Sequence, residues 1–325
     1  MDRKAGIIGI GSYVPDRILT NFDLERMVDT SDQWIVERSG ISERRIAEEH
    51  MATSDMAVRA AEQALANAGI KPEELGLVIV ATVTPDYFFP STACLVQSRL
   101  GAVNAAAYDI SAACAGFIYA LSNAWQYIRS GLYQYVLIIG ADALSKITDW
   151  EDRNTCVLFG DGAGAFVLGT VEEGGILSSP MGSDGTGAEF LTCPAVYFSP
   201  EEEEKRKGRK HTTYMNGQEV FKFAVKIMPY AFEQALEGAG LPVDRIDWFI
   251  PHQANLRIIE AAAKKFNISM DKFIVTLQKF GNTSSSSIPI ALAEGVRKGQ
   301  IKKGDTLAMA AFGAGLTWAS AIVQL

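Results

Sequence analysis

Runs of apolar residues along this chain predict strands and helices that alternate. Near-continuous apolar segments are typical of strands in a buried parallel sheet, and three occur, at 77–82, 135–141 and 246–251. Apolar residues at helical spacing predict three long helices, at 54–68, 117–129 and 218–238. Gly69 and Gly131 stand where the first two of these helices should end. Strands that alternate with helices predict an α/β fold.

Glycine-containing and charged segments interrupt this pattern. The segment 6–11 continues into extended sequence rather than a helix, so we interpret it as a strand and not as a dinucleotide-binding loop. The segment 160–164 is compatible with a phosphate cradle or with a close backbone crossing near an active site. The charged run at 201–207 predicts a solvated loop, and a flap over a site, within 192–211, is the alternative.

The second half of the chain repeats features of the first half in the same order. Three pairs of segments match: 68–80 with 239–250, 128–131 with 296–299, and 159–162 with 312–315. Chance could produce one such match, but three in one order indicate two copies of one α/β unit. We predict an N-terminal half at 1–172 and a C-terminal half at 173–325.

The composition is that of a cytoplasmic globular protein. The 325 residues are 48% hydrophobic and 21% charged, which allows a large core. Four cysteines without C-x-x-C spacing predict reduced thiols and provide no ligand set for zinc. The amino terminus lacks a signal-peptide pattern, and glycines interrupt the apolar window 308–323, so we expect no membrane span. A formal net charge of −8 disfavours nucleic-acid binding by the whole surface.

Cys114 is the candidate nucleophile. Small residues flank it, and a helix beginning there would direct backbone N–H groups and its positive dipole end at the sulfur, which favours the thiolate. The alternative is a buried cysteine that packs as a small hydrophobe. Cys114 lies 17 positions before Gly131, and 17 positions before Gly299 is Asn282. A pseudo-twofold axis would therefore place Cys114 and Asn282 at the starts of equivalent helices.

Two further residues complete a candidate site. Asn282 alone is typical of a helix cap, but its match to Cys114 makes it a site candidate. His252 directly follows the predicted strand 246–250, and ligands gather at the carboxyl ends of strands in α/β sheets. A structural histidine is the alternative. Together, a thiol, an imidazole and a carboxamide form a nucleophile with two hydrogen-bond donors to oxygen.

Three motifs resemble those of β-ketoacyl-(acyl carrier protein) synthase III, the condensing enzyme that starts type II fatty-acid synthesis. They are SAACAGF at 111–117, PHQAN at 251–255 and GNTS at 281–284. Similarity at 30–35, 160–165 and 312–318 extends the resemblance over nearly the whole chain. The resemblance implies a thiolase fold, which is a duplicated five-layered αβαβα architecture, and a homodimer.

The resemblance also implies a role for each motif. An acyl group would pass from acyl-CoA to Cys114, and decarboxylation of malonyl-(acyl carrier protein) would supply the carbanion for condensation. His252 Nε2 and the Asn282 amide would donate hydrogen bonds to the thioester oxygen. The oxyanion at the acylated cysteine would bind the Cys114 N–H and an N–H of the turn around Ala314. No metal or other cofactor is implied.

Binding positions follow from the same resemblance. Phe89 resembles the residue that reaches across the dimer to floor the partner's acyl pocket. The residues that resemble CoA contacts, with Trp34 and Arg153 at the adenine, are Thr30, Trp34, Arg38, Arg153, Gly217 and Asn255. The residues that would form a basic patch for the acidic carrier protein are Lys222, Arg257, Lys264 and Lys265. Without the resemblance, Trp34 would be interpreted as a core indole and Arg153 as part of a surface ion pair. Lys264 and Lys265 would be interpreted as a solvated helix face.

Other functions should leave different signatures. A type III polyketide synthase shares Cys, His and Asn but uses CoA extenders without a carrier protein. Because the three residue types are shared, a related condensing enzyme of secondary metabolism, of polyketide or quinolone type, is the alternative function. A degradative thiolase needs a second cysteine near the glycine turn at 311–315, which contains none. The complete set of three residues disfavours a non-catalytic acyl-CoA-binding protein. The starter acyl group stays open.

Overall fold

The computed structural model describes residues 3–196, 199–208 and 211–325. The helices, in chain order, are α1 (Asn21–Leu24), α2 (Asp32–Ser39), α3 (Thr53–Ala68), α4 (Thr92–Leu100), α5 (Gly116–Arg129), α6 (Pro200–Lys205), α7 (Gly217–Ala239), α8 (Leu256–Phe266), α9 (Leu277–Phe280) and α10 (Ser287–Arg297). The strands are β1 (Ala5–Tyr13), β2 (Ile18–Thr20), β3 (Glu43–Arg45), β4 (Leu77–Ala81), β5 (Ala106–Ile110), β6 (Val136–Ala143), β7 (Asp161–Thr170), β8 (Gly175–Ser178), β9 (Met181–Ser183), β10 (Leu191–Thr192), β11 (Tyr214–Met215), β12 (Trp248–Pro251), β13 (Thr306–Gly313) and β14 (Thr317–Gln324).

Two mixed sheets with the same strand pattern form the centre of the protein. The first has the order β1-β7-β6-β4-β5, in which β4 is parallel to β5 and β6, and β7 is antiparallel to β6 and β1. The second has the order β12-β13-β14-β8, with β12 parallel to β13 and β14 antiparallel to both neighbours. Strand β9 also pairs antiparallel with β14 as the fifth strand of this sheet, and a parallel bridge joins Phe249 of β12 to Phe273. The predicted boundary between residues 172 and 173, which falls between β7 and β8, stays a prediction.

Helices α5 and α10 lie between the two sheets, and their apolar side chains fill the central core. Helices α3 and α4 cover the outer face of the first sheet, and α7 and α8 cover the outer face of the second. Every residue of β6 and of β13 is buried, because each strand has helices on both faces. The layers therefore alternate as helix, sheet, helix, sheet and helix. Among the described residues, no helix is both long and apolar enough to cross a membrane.

The glycine segments are parts of strands. Residues 6–11 belong to β1, as predicted. The phosphate-cradle interpretation of residues 160–164 is wrong, because residues 161–164 form the first part of strand β7. A Cβ added at Gly164 would lie 2.6 Å from the Pro289 side chain of α10, so these glycines allow the close crossing that was the other interpretation.

The charged run at 201–207 does not form a solvated loop. Most of it belongs to α6, whose amino terminus is capped by the Ser199 hydroxyl. Arg206 is only 4% exposed, and its guanidinium donates to Thr192 Oγ1 and to the Thr212 carbonyl. This side chain holds α6 against the two-stranded sheet of β10 and β11. Gating of the site by residues 192–211 stays a prediction, and four of those residues lie outside the described part of the chain: Tyr197, Phe198, Arg209 and Lys210.

Candidate active site

Cys114 lies in a tight turn between β5 and α5. The turn is a 3-10 helix at Ala113–Ala115, and it begins with a backbone in the left-handed region, at φ 47°. No side chain among the described residues caps the amino terminus of α5, and the N–H of its first residue, Gly116, donates to the Ala113 carbonyl, so the helix continues directly from the Cys114 turn. The end of β13 packs directly on the turn, since a Cβ added at Gly313 would lie 2.6 Å from the Cys114 backbone nitrogen.

Burial decides the protonation of the Cys114 thiol. Loss of solvent raises the pKa of Cys114 to about 12, the Ser284 hydroxyl acts to lower it, and the Asp142 carboxyl group raises it further. This direction is opposite to the one that a helix amino terminus would favour, so we expect Cys114 to be a thiol in the free protein.

Asn282 is held by backbone and side-chain hydrogen bonds. Its N–H donates to the Leu158 carbonyl and its own carbonyl accepts from the Gly160 N–H, both at 2.9 Å. Its side-chain Oδ1 accepts the Ser284 N–H at 2.8 Å. Because that contact identifies the oxygen, the Nδ2 group of the Asn282 amide is the one available to donate.

Asn282 is not the pseudo-twofold counterpart of Cys114. The turns Ala113–Ala115 and Ser284–Ser286 correspond, since each begins at a positive φ, 47° and 55°, and each leads into a central helix. Their middle residues are Cys114 and Ser285, so Ser285 is the counterpart. Helix α5 has 14 residues and α10 has 11, so counting back from the helix ends misplaces the match by three positions.

His252 directly follows β12, as predicted. Its N–H donates to the Ala310 carbonyl at 2.8 Å, and its ring meets the edge of Phe312 with the centroids 5.4 Å apart. The side chain is 1% exposed, and burial lowers the pKa of His252 to about 3, so the ring is neutral at physiological pH. Its Nδ1 lies 2.7 Å from the Ser287 hydroxyl oxygen.

Gln253 fixes the loop that carries His252. Its Nε2 donates to the carbonyls of Pro251 and Ile274 at 2.7 and 3.1 Å, and its Oε1 accepts the Thr276 N–H at 2.8 Å. A buried amide with its hydrogen bonds satisfied in this way rigidifies its surroundings. Gln253 therefore fixes the position of the loop that contains His252.

One cavity brings the three predicted catalytic residues together. Cys114, His252 and Asn282 line a space of about 100 Å³ whose remaining walls are mostly apolar. Gly217 and Asn255, two of the predicted CoA contacts, line the same cavity. A wider cleft of about 1180 Å³ also reaches Cys114 and is lined by Ala314, the predicted oxyanion position, and by Ser284.

Trp34 and two arginines form a stack next to this cavity. The guanidinium carbon of Arg153 lies 4.4 Å from the centre of the Trp34 ring, and that of Arg38 lies 5.4 Å from it. Asn255 caps α8 and donates from Nδ2 to the Arg38 carbonyl at 2.9 Å, which joins the stack to the cavity wall. Thr30 Oγ1 is buried and has no hydrogen-bond partner among the described residues.

Phe89 and the basic residues do not line the cavity of Cys114, although Arg257 contacts one of its lining residues. Phe89 is 86% exposed, whereas Tyr87 and Phe88 line the wider cleft. The basic residues lie on α7 and α8, where Arg257 stacks on the Phe221 ring at 4.9 Å. The lysines are exposed, and two of them form ion pairs: Lys222 with Glu219 and Lys265 with Glu233, while Lys264 is adjacent in α8.

The sequence reasoning missed a buried polar network behind Cys114. Asp142 lies in β6 and is fully buried, and burial raises the pKa of its carboxyl group. It accepts the Ser285 hydroxyl at 2.7 Å, the Ser285 N–H at 3.2 Å and the Val83 N–H at 2.7 Å. An aspartate inside an apolar strand and four consecutive serines at 284–287 were the sequence signals for this network.

Comparisons with known proteins match the chain to one family. Residues 108–185 match the family model described as 3-Oxoacyl-[acyl-carrier-protein (ACP)] synthase III, and residues 236–325 match the model of its C terminal. The Beta-ketoacyl-[acyl-carrier-protein] synthase III of Caldanaerobacter subterraneus subsp. tengcongensis is 59% identical over 322 residues, which are 98% of this chain and 97% of the relative.

Solved structures give the same result. The crystal structure of 3-oxoacyl-[acyl-carrier-protein] synthase III from Aquifex aeolicus VF5 is 49% identical, with a TM-score of 0.92 over 99% of this chain and 100% of that chain. The priming β-ketosynthase of the R1128 polyketide pathway has a TM-score of 0.92 at 38% identity, over 99% of this chain and 97% of that chain. The predicted thiolase fold is confirmed. The chain belongs to the 3-oxoacyl-[acyl-carrier-protein] synthase III family.

Proposed function

We propose that this protein catalyses the initiating condensation of fatty-acid synthesis. An acyl group passes from acyl-CoA to Cys114, and the acylated enzyme then condenses with malonyl-(acyl carrier protein). The products are 3-oxoacyl-(acyl carrier protein), CO2 and CoA. The observation that carries this proposal is the common cavity of Cys114, His252 and Asn282, in which the Asn282 amide is fixed as a donor.

The first half-reaction is acyl transfer. The Cys114 sulfur adds to the acyl carbon to form a tetrahedral oxyanion, which collapses as the bond from that carbon to the CoA sulfur breaks, and the thiol proton leaves with CoA. The tetrahedral oxyanion requires donors in the turns, and we assign the Cys114 and Ala314 N–H groups to it. A thiol with a pKa near 12 needs this stabilisation, because little thiolate forms before substrate binds.

The second half-reaction is decarboxylation and condensation. Loss of CO2 leaves an electron pair on the malonyl carbon, delocalised onto the thioester oxygen, and that carbon attacks the acyl-Cys114 carbonyl. The donors for the thioester oxygen are His252 and Asn282. Neutral His252 suits this role, because decarboxylation needs no base and the low pKa keeps the ring uncharged. Condensation releases the Cys114 thiolate, which takes a proton from solvent.

Intact-mass measurement tests the first half-reaction directly. Wild-type protein and the Cys114→Ala variant are incubated with a panel of acyl-CoAs that includes acetyl, longer and branched chains. We expect an acyl adduct on the wild type only, and the preferred chain identifies the starter. Absence of an adduct with every thioester would support a non-catalytic acyl-CoA-binding protein instead.

We assign CoA binding to Thr30, Trp34, Arg38, Arg153, Gly217 and Asn255. The support is the stack of Arg153 and Arg38 on Trp34, which offers a flat, cationic surface to an aromatic base and its phosphates. The buried, unpartnered Thr30 hydroxyl offers a further polar contact. Isothermal titration of CoA into the Trp34→Ala variant tests the assignment, and unchanged affinity would refute it.

We assign carrier-protein docking to Lys222, Arg257, Lys264 and Lys265. Arg257 is exposed at the start of α8, and its ring partner Phe221 lines the cavity, so a carrier protein bound there would sit beside the entrance. The Arg257→Glu variant should use malonyl-(acyl carrier protein) poorly while acylation by acyl-CoA stays at the wild-type rate. An equal loss of both half-reactions would contradict docking.

We propose that the protein is a homodimer in which Phe89 of each subunit completes the partner's acyl pocket. Two observations support this: β5 is a partly exposed edge strand, and Phe88 and Phe89 project beside it at 70% and 86% exposure. Light scattering measures the assembly. A monomer that is acylated at the rate of the dimer would refute the role of Phe89.

We propose that the reaction needs no metal or other cofactor and takes place in the cytoplasm. Hydrogen-bond donors stabilise the negative charge on the thioester oxygen, a role that a metal ion has in other enzymes. Turnover should therefore survive dialysis against EDTA. The thiol at Cys114 must stay reduced to react, and the cytoplasm maintains that state. Loss of turnover after EDTA treatment, restored by a metal ion, would contradict the first part.

A further inference from the structure

Among the residues that the structure describes, the imidazole of His252 has one hydrogen-bonding neighbour at Nδ1. The Ser287 hydroxyl oxygen lies 2.7 Å from Nδ1, and both side chains are buried. Ser287 is the first residue of α10, 35 positions along the chain from His252. The serine therefore belongs to the central helix, whereas the histidine belongs to the loop after β12.

The direction of this hydrogen bond follows from the other contacts of Ser287. The Gln253 N–H donates to the same Ser287 oxygen at 3.5 Å, a long contact that uses one lone pair. One turn back, the Thr283 carbonyl accepts the neighbouring Ser286 hydroxyl at 2.8 Å. Within the part of the chain that the structure describes, Nδ1 is the only acceptor in contact with the Ser287 hydroxyl. The Ser287 O–H therefore donates to His252 Nδ1.

A nitrogen that accepts a hydrogen bond carries no proton itself. We infer that Ser287 holds His252 in the neutral tautomer with its proton on Nε2, so that His252 is a fixed hydrogen-bond donor and not a proton acceptor for Cys114. This inference rests on the proposed function, because it assigns the role of His252 within that reaction. Ser287 is a positioning residue, since it acts through the imidazole.

The choice of a hydroxyl at this position has a chemical consequence. A carboxylate at Nδ1 would accept a hydrogen bond from Nδ1–H, favour that tautomer and make Nε2 basic, as in a hydrolase triad. A serine that donates produces the opposite tautomer. Two donors, His252 Nε2–H and the Asn282 amide, then face the cavity without any transfer of a proton. Loss of the Ser287 hydroxyl should therefore slow decarboxylation and leave acyl transfer intact.

The first experiment determines the tautomer by NMR of protein with 15N-labelled histidine. The chain has only three histidines, so the His252→Ala spectrum identifies the signal of interest. We expect the wild-type proton on Nε2, and a shift of population toward Nδ1–H in the Ser287→Ala variant. A wild-type proton on Nδ1 would overturn the inference whether or not any variant folds.

The second experiment separates the half-reactions. Acylation is followed by intact mass, and condensation is followed by adding malonyl-(acyl carrier protein) to enzyme that is already acylated. Ser287→Ala should reduce the condensation rate by about 10- to 100-fold, below the full loss of an oxyanion donor, with acylation changed by less than about twofold. Ser287→Thr, which keeps a hydroxyl, should restore most of the condensation rate.

Ser286→Ala is the matched control. It removes a buried serine hydroxyl from the adjacent position, and that hydroxyl bonds to Thr283 rather than to His252. We expect wild-type condensation from this control. Equal losses of acylation and condensation in Ser287→Ala, or wild-type rates for both, would overturn the inference. If wild-type enzyme forms no adduct and no condensation product, the proposed function fails, and the NMR result still decides the tautomer.

Discussion

Gly313 should not tolerate the addition of one methyl group. A Cβ there would lie 2.6 Å from the Cys114 nitrogen and 2.9 Å from the Ala113 Cβ, whereas ordinary contacts begin at 3.4 Å. The φ angle of Gly313 lies outside the left-handed region, so alanine is allowed by the backbone and the clash alone is tested. All of β13 is buried, so the strand has no open space behind it.

The contact distances give the size of the effect. The Cys114 turn must move by about 0.8 Å to restore ordinary contact with the new methyl group. A displacement near 1 Å at a reacting group costs roughly 100-fold in rate, and overpacking a core costs about 1–3 kcal/mol in the free energy of unfolding. Gly313→Ala should therefore reduce the acylation rate by about two orders of magnitude and lower Tm by a few degrees.

Time-resolved intact mass with the preferred acyl-CoA measures acylation, and thermal denaturation measures stability. Gly185→Ala is the control, because Gly185 is exposed and a Cβ at that position has nothing within 4 Å. The control should acylate and melt like the wild type. If Gly313→Ala is acylated within about twofold of the wild-type rate, then β13 does not fix the position of the nucleophile.

Three shorter predictions concern charge and binding. The alkylation rate of Cys114 should rise about tenfold per pH unit from pH 7 to 10, because burial raises the thiol pKa to about 12. The rate is measured in a Cys94→Ser, Cys193→Ser background, which removes the two exposed thiols. A plateau in the rate below pH 8 would contradict this prediction. His252 has a pKa of about 3 when folded and 6.5 when unfolded, so the unfolded chain takes up a proton first as pH falls. The free energy of unfolding should then decrease from pH 6.5 toward 4 by up to about 1.4 kcal/mol per pH unit, and urea titration of His252→Gln should show a smaller decrease. Trp34→Ala should raise KM for acyl-CoA by about 2- to 30-fold, the value of a cation–π contact of roughly 0.5–2 kcal/mol, with KM for malonyl-(acyl carrier protein) unchanged.

The sequence was sufficient for elements with near-continuous apolar runs or regular helical spacing, but it predicted a loop where the charged helix α6 lies. It also identified the candidates Cys114, His252 and Asn282, which share one cavity. Apolar runs predicted β4, β6 and β12, because strands covered on both faces need apolar side chains throughout. The positioning residues were not predicted, because their partners are distant along the chain. Ser285 contacts Asp142 across 143 positions, and Ser287 contacts His252 across 35. Periodicity carries no information about contacts of this kind.

The pKa of Cys114 also depends on segments that are distant along the chain. The local sequence contains the features that favour a thiolate: small neighbours and the start of a helix. Desolvation acts against them, and it comes from elements far from residue 114, including the end of β13. The local features therefore favour the opposite direction for the pKa of Cys114, and the role of Cys114 as nucleophile stays a prediction.

The duplicated fold explains why the site lies where the two halves meet. Each half contributes a tight turn that starts in the left-handed region, and each turn packs on a glycine of the other half's sheet. Gly313 of β13 approaches Cys114, and a Cβ at Gly140 of β6 would lie 2.6 Å from the Ser285 carbonyl. The two turns are thus held by equivalent contacts, but they carry different chemistry. The first turn carries Cys114. In the second turn the Ser284 N–H holds the Asn282 side chain, and Ser287, the first residue of the helix that follows, contacts His252. Two turns of the same shape, each packed on a glycine of the opposite sheet, are therefore sufficient to bring a thiol, an imidazole and a carboxamide to one cavity, and the side chains on each turn make the two different.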